Sequence, residues 1–321
     1  MIGAYRVRVR NKRNAYDFTL RRNITILRGD SGRGKTTLFD MIAEYGRLGR
    51  ASGVSVACDR PLIALMDENW EEKIARTTES IIVIDEDSTY LRSENFARAV
   101  RDSSDYFLLI TRDYLSQLPY SVDEIYQLHG RKNKTFVPVY SAEDHIYDHP
   151  ARSLLPFHPD LIITEDSGSG YQFFSSVAAD AGMECIAAHG KSNIYQMMRE
   201  CDGRKVVIIA DGAAFGADMA NVVLEQRLRP ASVAIFLPES FEWIVLASGA
   251  AGHAMDVYLM HPEEYLESGQ YMSWERYFTD VLIHGTTNSS YMKYSKEKLP
   301  AYYTQEKVKQ EICGFIQGIR F

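Results

Sequence analysis

The stretch 24–36, ITILRGDSGRGKT, constrains this chain more than any other. A short apolar strand runs into Gly29-x-x-x-x-Gly34-Lys35-Thr36, and Thr37-Leu38-Phe39 opens an amphipathic helix expected over 35–48. Strand, glycine-rich turn and helix start together make the phosphate-binding loop pattern. The glycines let backbone N–H groups turn inward around an anion, and the helix N-terminus adds partial positive charge. Gly29, Asp30, Ser31, Gly32, Arg33, Gly34, Lys35, Thr36 and Thr37 are therefore the expected cradle of a nucleoside triphosphate. Lys35 would reach the β- and γ-phosphates as a catalytic cation, and the Thr36 hydroxyl would take one position on Mg²⁺.

A second motif supports the first. Residues 81–84, IIVI, form a continuous apolar run that suits a strand buried on both faces of a parallel sheet, and Asp85-Glu86 follow at its end. Ligands bind at that end of such sheets. In this Walker B pattern Asp85 would hold Mg²⁺ through water, and Glu86 would orient or activate the attacking water. A third apolar run, 106–110, ends in Thr111-Arg112, which are placed to sense a γ-phosphate or simply to close a strand. Residues 5–20 alternate as a β-hairpin ahead of the loop, with Arg6, Arg8 and Arg10 on what reads as a solvated face. Residues 115–130 read as a helix and an edge strand. No LSGGQ-like signature lies between Lys35 and Asp85, and no DxxG or NKxD reads guanine. ATP is the expected nucleotide.

At 321 residues the chain has room for two domains, and 45% hydrophobic with 25% charged residues is a globular composition. A net charge of −7 argues against a general nucleic-acid coat, while leaving room for a local basic groove. Cys58, Cys185, Cys201 and Cys313 are scattered, without a CxxC pair, as reduced thiols would be. The first residues lack the apolar core of a signal peptide, and no run of 18 apolar residues occurs. The expectation is a cytoplasmic protein with no membrane contact. Residues 141–159 change character, with Pro150, Pro156 and Pro159 and with His145, His149 and His158 at no metal spacing. They read as a linker after a domain spanning 1–140.

From 160 to 252 a second α/β pattern begins, in which four strands each end in polar or acidic residues. Glu165 follows the first strand, Asp211 the third, and Glu239 and Glu242 the fourth. That order resembles a topoisomerase–primase (TOPRIM) domain, and the turn His189-Gly190-Lys191-Ser192 is similar to the Gly-Lys turn of OLD-family ATPase–nucleases, which also place a P-loop ATPase first. The resemblance implies metal-assisted phosphodiester cleavage of DNA or RNA, with Glu165 and Asp211 as core catalytic ligands of Mg²⁺ or Mn²⁺. Glu239 or Glu242 would complete the shell and Lys191 would neutralise phosphate. It also implies a role in defence against phage. The pattern departs from the family at Ala213, where the second Asp of a DxD motif belongs; Asp166 or Asp218 would have to substitute. The tail 253–321 is rich in aromatics (Trp274, Tyr277, Phe278, Tyr291, Tyr294, Tyr302, Tyr303) and reads as a helical extension packed on the second sheet. Ile312, Phe315, Ile316 and Ile319 mark one helix face, for burial or for an oligomer contact.

The sequence thus predicts two tandem α/β domains, each a mostly parallel sheet with flanking helices, and a helical tail. The functional expectation is an ATP-binding or ATP-hydrolysing domain that controls a TOPRIM-like, metal-dependent nuclease. The alternative is a nucleotide-switched binding or scaffold protein with a protein partner or a second copy of itself. Ala213 favours the alternative, and the acids at Glu165, Asp211 and Glu242 favour the nuclease.

Overall fold

The computed structural model describes residues 1–66, 68–140, 146–147 and 156–321. The chain divides into two compact units: Met1–Tyr140 with Pro262–Ser273, and Ser141–His261 with Trp274–Phe321. Most of the expected linker, with His145 and His149, lies outside the described residues, and His158 is exposed. The segment Pro262–Ser273 was expected in a C-terminal extension but clusters with the first unit. There it accepts the Gly3 N–H at Glu263 O (2.7 Å), and Asn23 Nδ2 donates to Met272 O (3.0 Å).

The first unit opens with β1 (Tyr5–Arg10) and β2 (Ala15–Leu20), antiparallel in the register Tyr5↔Leu20 to Arg10↔Ala15. Asn11 closes the hairpin, its Oδ1 accepting the N–H groups of Arg13 and Asn14 at 2.9 and 2.8 Å. β3 (Ile24–Arg28) leads into α1 (Lys35–Leu48), which ends at Gly49 in a left-handed turn. β4 (Ser55–Ala57) returns to pair with β1, and β5 (Leu62–Ala64), α2 (Trp70–Arg76) and β6 (Ile81–Ile84) follow. α3 (Glu94–Arg101) starts where the Ser93 side chain accepts the Phe96 N–H, and β7 (Tyr106–Ile110), β8 (Ile125–His129) and β9 (Asn133–Pro138) complete the unit.

These strands form one nine-stranded sheet in the order β4-β1-β2-β9-β8-β3-β7-β6-β5. Its middle is parallel, and β3, β6 and β7 there are buried on both faces and apolar but for Thr25 and the half-buried Arg28 of β3. The sheet as a whole is mixed. β1 pairs antiparallel with β2 and β4, and β8 with β9, so the expectation of a mostly parallel sheet holds for the middle and not for the hairpin flank. Residues 115–121 form no helix, and β8 is no edge strand: it lies between β3 and β9. The hairpin to β9 covers its outer side.

The second unit is built on a sheet in the order β10-β14-β13-β11-β12. The two-residue β10 (Ile146–Tyr147) is antiparallel to β14. β11 (Leu161–Thr164), α4 (Ser169–Ala181), β12 (Glu184–Ala187), α5 (Lys191–Glu200), β13 (Val206–Ile209), α6 (Met219–Leu228) and β14 (Val233–Phe236) alternate, and the four longer strands are parallel. β11, β13 and β14 are buried at every position. α7 (Phe241–Ala247), α8 (Val257–Met260), α9 (Trp274–Thr286) and α10 (Glu306–Phe315) follow. The aromatic tail is chiefly core: Trp274, Tyr277, Phe278, Tyr294 and Tyr303 are buried, Tyr302 is half-buried and only Tyr291 among them is exposed. Ile312, Ile316 and Ile319 are buried too. The four cysteines are free thiols, and no helix among the described residues is long and apolar enough to cross a membrane.

Gly130 sets the β8–β9 turn. Its φ is +102°, and a Cβ there would lie 2.0 Å from the Asn133 carbonyl oxygen. Gly130→Ala is expected to destabilise the first unit by about 2–4 kcal/mol, combining left-handed strain with a backbone clash. A lowered denaturant midpoint for the fluorescence transition of the variant checks this.

Candidate functional site

Two sites arise from the same rule, each at the carboxyl ends of parallel strands where polar side chains first escape an apolar sheet. In the first unit, β3, β7 and β6 are adjacent and parallel, so their successors share one rim. Gly29, Gly32 and Gly34 take φ values of 120°, 77° and 102°, the backbone freedom that wraps the loop before α1. Lys35 is buried, and its ammonium donates to Gly29 O at 2.6 Å and Asp30 O at 3.0 Å. It is thus held inside its own loop by two carbonyls, weak partners that a phosphate would outcompete. Tyr16 braces the loop from β2, donating to Gly34 O at 2.8 Å, and burial pushes its phenol up to about 12. Asp30, Ser31, Gly32, Arg33 and Thr36 are exposed and Thr37 half-buried around the loop.

Asp85 follows β6 and is buried, with its Oδ1 lacking a hydrogen-bond partner. Burial raises its pKa first, and the charges of Asp87, Glu86 and Asp40 add to that, against one backbone hydrogen bond from Glu86. A buried, unpartnered carboxylate oxygen among acids is a place that favours a cation. With the Thr36 hydroxyl it offers hard oxygen donors that fit Mg²⁺ taking its other ligands from phosphate and water. Arg112, after β7, ties the rim together. Its Nη2 donates to Ser31 Oγ at 2.6 Å and Glu86 Oε1 at 3.4 Å, and its Nε stands 3.3 Å from Glu86 Oε2. A cation therefore links the glycine-rich loop to the carboxylate after β6.

In the second unit, Glu165 follows β11 and Asp211 follows β13, the point where the strand order reverses. They share a small pocket, about 30 Å³, with Asp166, Glu242 and Lys296. That volume holds one or two water-sized groups. The Asp211 N–H donates to Glu165 Oε2 at 3.4 Å. Burial and then the charge of Glu275 push the Glu165 carboxyl up to about 7, against Lys191. Asp211 is raised well above the usual range by burial, then by Glu275, Glu165 and Glu242. Glu242 is buried in the first turn of α7; its Oε1 accepts the Tyr294 hydroxyl at 2.7 Å, and Tyr294 in turn meets Ser169 Oγ at 2.5 Å.

Lys296 supplies the positive charge. Burial alone would lower its pKa, yet the carboxylates of Glu242, Glu275 and Asp211 outweigh burial and raise it. Its Nζ stands 2.6 Å from Glu275 Oε1. Of the expected ligands, Glu165, Asp211 and Glu242 line the pocket and Glu239, though buried, does not. No group of three or more His, Cys, Asp or Glu that could hold a metal ion occurs among the described residues. The residues present form an acid cluster with a lysine among them. Lys191 is spent on Ala214 O at 2.6 Å, and Asp218 keeps a buried Oδ2 without a hydrogen bond. Ala213 is buried, its N–H on Glu239 O at 3.3 Å. Lys296, Glu275 and Tyr294 were not foreseen, since no local pattern in the tail marks them.

No protein-family model matches the chain, and comparison with curated proteins also returns no match.

The buried acids set a pH dependence. A carboxyl whose folded pKa of about 7 exceeds its ordinary 4.5 keeps its proton on folding, so its contribution is favourable below that window and lost as pH rises through it. Glu165→Gln is expected to match the wild type at pH about 4 and to exceed its stability by about 1–3 kcal/mol at pH about 8. Thermal unfolding across that pH range checks it; a constant difference would contradict it.

Proposed function

We propose that the chain binds and hydrolyses ATP at the glycine-rich loop of its first unit, and that the nucleotide state governs the acid–lysine pocket of the second. The observation that carries this reading is the convergence of Lys35, Asp85, Glu86 and Arg112 at one rim, with Arg112 bridging Ser31 and Glu86. In this reading the backbone N–H groups of 29–36 surround the phosphates, and Lys35 leaves the Gly29 and Asp30 carbonyls for the β- and γ-oxygens. Thr36 and Asp85 would hold Mg²⁺, which when bound neutralises charge on the transferring phosphoryl group. Glu86 orients the attacking water, and release of its contact with Arg112 on binding frees that guanidinium to meet the γ-phosphate.

For the second unit, the resemblance to TOPRIM domains points to a metal-dependent nuclease that acts in defence against phage. The alternative, a nucleotide-switched binding module, is favoured by a specific observation: Lys296 stands among the acids that line the pocket, and Ala213 removes the DxD pair. Its partner would be another protein or a second copy of this chain.

Steady-state ATPase assays test the first part. Lys35→Ala is expected to lose at least about 100-fold in kcat/KM, while Glu86→Gln loses a similar factor in kcat and still binds ATP within a few-fold. Unchanged hydrolysis in both variants would end the ATPase reading. Incubating plasmid with the protein and Mg²⁺ or Mn²⁺, with and without ATP, decides the second part. Cleavage abolished by Glu165→Ala and altered by Lys35→Ala would establish the nuclease; no cleavage with ATP binding intact leaves the binding module.

A further inference from the structure

The two basic turns of the first unit meet. Parallel pairing of β2 with β9 aligns Ala15 with Asn133, Tyr16 with Lys134 and Asp17 with Thr135. It brings the 11–14 turn, NKRN, beside 131–134, RKNK, where the turn after β8 enters β9. Between them lies a pocket of about 600 Å³ whose walls include Arg8, Arg10, Lys12, Lys132 and Lys134. The one carboxylate in its lining, Asp17, is already engaged: Arg6 holds it with two hydrogen bonds of 2.8 and 2.7 Å, and Arg8 Nε lies 4.0 Å away.

Lys134 is the telling member. It is only 7% exposed, and its ammonium donates to a neutral partner, Asn14 Oδ1, at 2.7 Å. Burial lowers its pKa. A buried ammonium held by an amide oxygen and 5.1 Å from the Tyr16 ring centroid, in a pocket wall that also carries Arg8, Arg10, Lys12 and Lys132, favours an anion. The chain's net charge of −7 shows that this cluster does not merely reflect a basic protein.

Size and lining narrow the ligand. The pocket is far larger than one phosphate needs, so several anionic groups fit. Arg8 and Arg10 stand two residues apart on one face of β1, about 7 Å along the strand, a spacing comparable to that of neighbouring phosphates in an extended nucleic-acid strand. The one aromatic in the wall, Tyr16, is buried with its hydroxyl committed to Gly34 O, so no ring is offered for base stacking. We infer that this pocket binds the phosphodiester backbone of a nucleic acid without reading its sequence. The site lies on the first unit, not at the acid pocket to which the resemblance assigned nucleic acid, and it shares Tyr16 with the brace of the glycine-rich loop.

Fluorescence anisotropy of the full chain with labelled mixed-sequence DNA and RNA oligonucleotides, followed across a salt series, tests this. Wild type should bind with log affinity falling linearly in log salt. Arg10→Glu/Lys12→Glu/Lys132→Glu, all at exposed positions, should weaken binding at least about 10-fold and flatten the salt slope by about three. Lys134→Gln should flatten the slope by about one. The control Arg98→Glu/Arg101→Glu, on the exposed face of α3, should bind as wild type does. Absence of wild-type binding at low salt, equal binding by the triple variant, or equal weakening by the control would overturn the site. Displacement of the oligonucleotide by stoichiometric inorganic tripolyphosphate would overturn the polymer as ligand. Binding of a fluorescent ATP analogue by the same variants reports separately on the nucleotide site.

Discussion

Strands buried on both faces leave their polar neighbours one way out, at the strand ends. β3, β6 and β7 in the first unit and β11, β13 and β14 in the second carry almost no polar residue along their length. Because neighbouring strands are parallel, the residues that follow them collect on a single rim in each sheet. Lys35, Asp85, Glu86 and Arg112 are neighbours for this reason, as are Glu165, Asp211 and Glu242.

The two rims solve opposite electrostatic problems. The first exposes backbone N–H groups and a helix start to an incoming anion and parks Lys35 on carbonyls, so positive potential is stored with weak partners. The second holds acids toward their protonated forms, by burial first and by their mutual repulsion second, and places Lys296 among them. Tyr294 links Glu242 to Ser169 in a short buried hydrogen-bond chain at that rim. The acid cluster has Lys296 among its carboxyls, whereas the buried Asp85 Oδ1 has no hydrogen-bond partner.

Legibility followed sequence distance. The strand, loop and helix around Lys35 are contiguous, and each step has a local chemical cause, so the boundaries of α1 could be read directly. The strands of the second unit were legible from their uninterrupted apolar runs. The place of β8 was not legible, because a strand's own residues do not say what pairs beside its backbone, and β3 and β9 flank it. Pro262–Ser273 joined the first unit through contacts far apart in sequence, the Gly3 N–H on Glu263 O, the Met1 ammonium on Glu267 and Asn23 on Met272 O, which no local pattern marks. Lys296 and Glu275 reach the acid pocket from the tail, and a charged residue there looks like any solvated one until the fold buries it.

The most direct test of the account is a structure with Mg²⁺ and a non-hydrolysable ATP analogue. It should show Lys35 Nζ moved from the Gly29 and Asp30 carbonyls to the β- and γ-phosphate oxygens, with the Asp85 carboxylate facing the metal. Lys35 still resting on those carbonyls, with the nucleotide bound elsewhere or not at all, would contradict it.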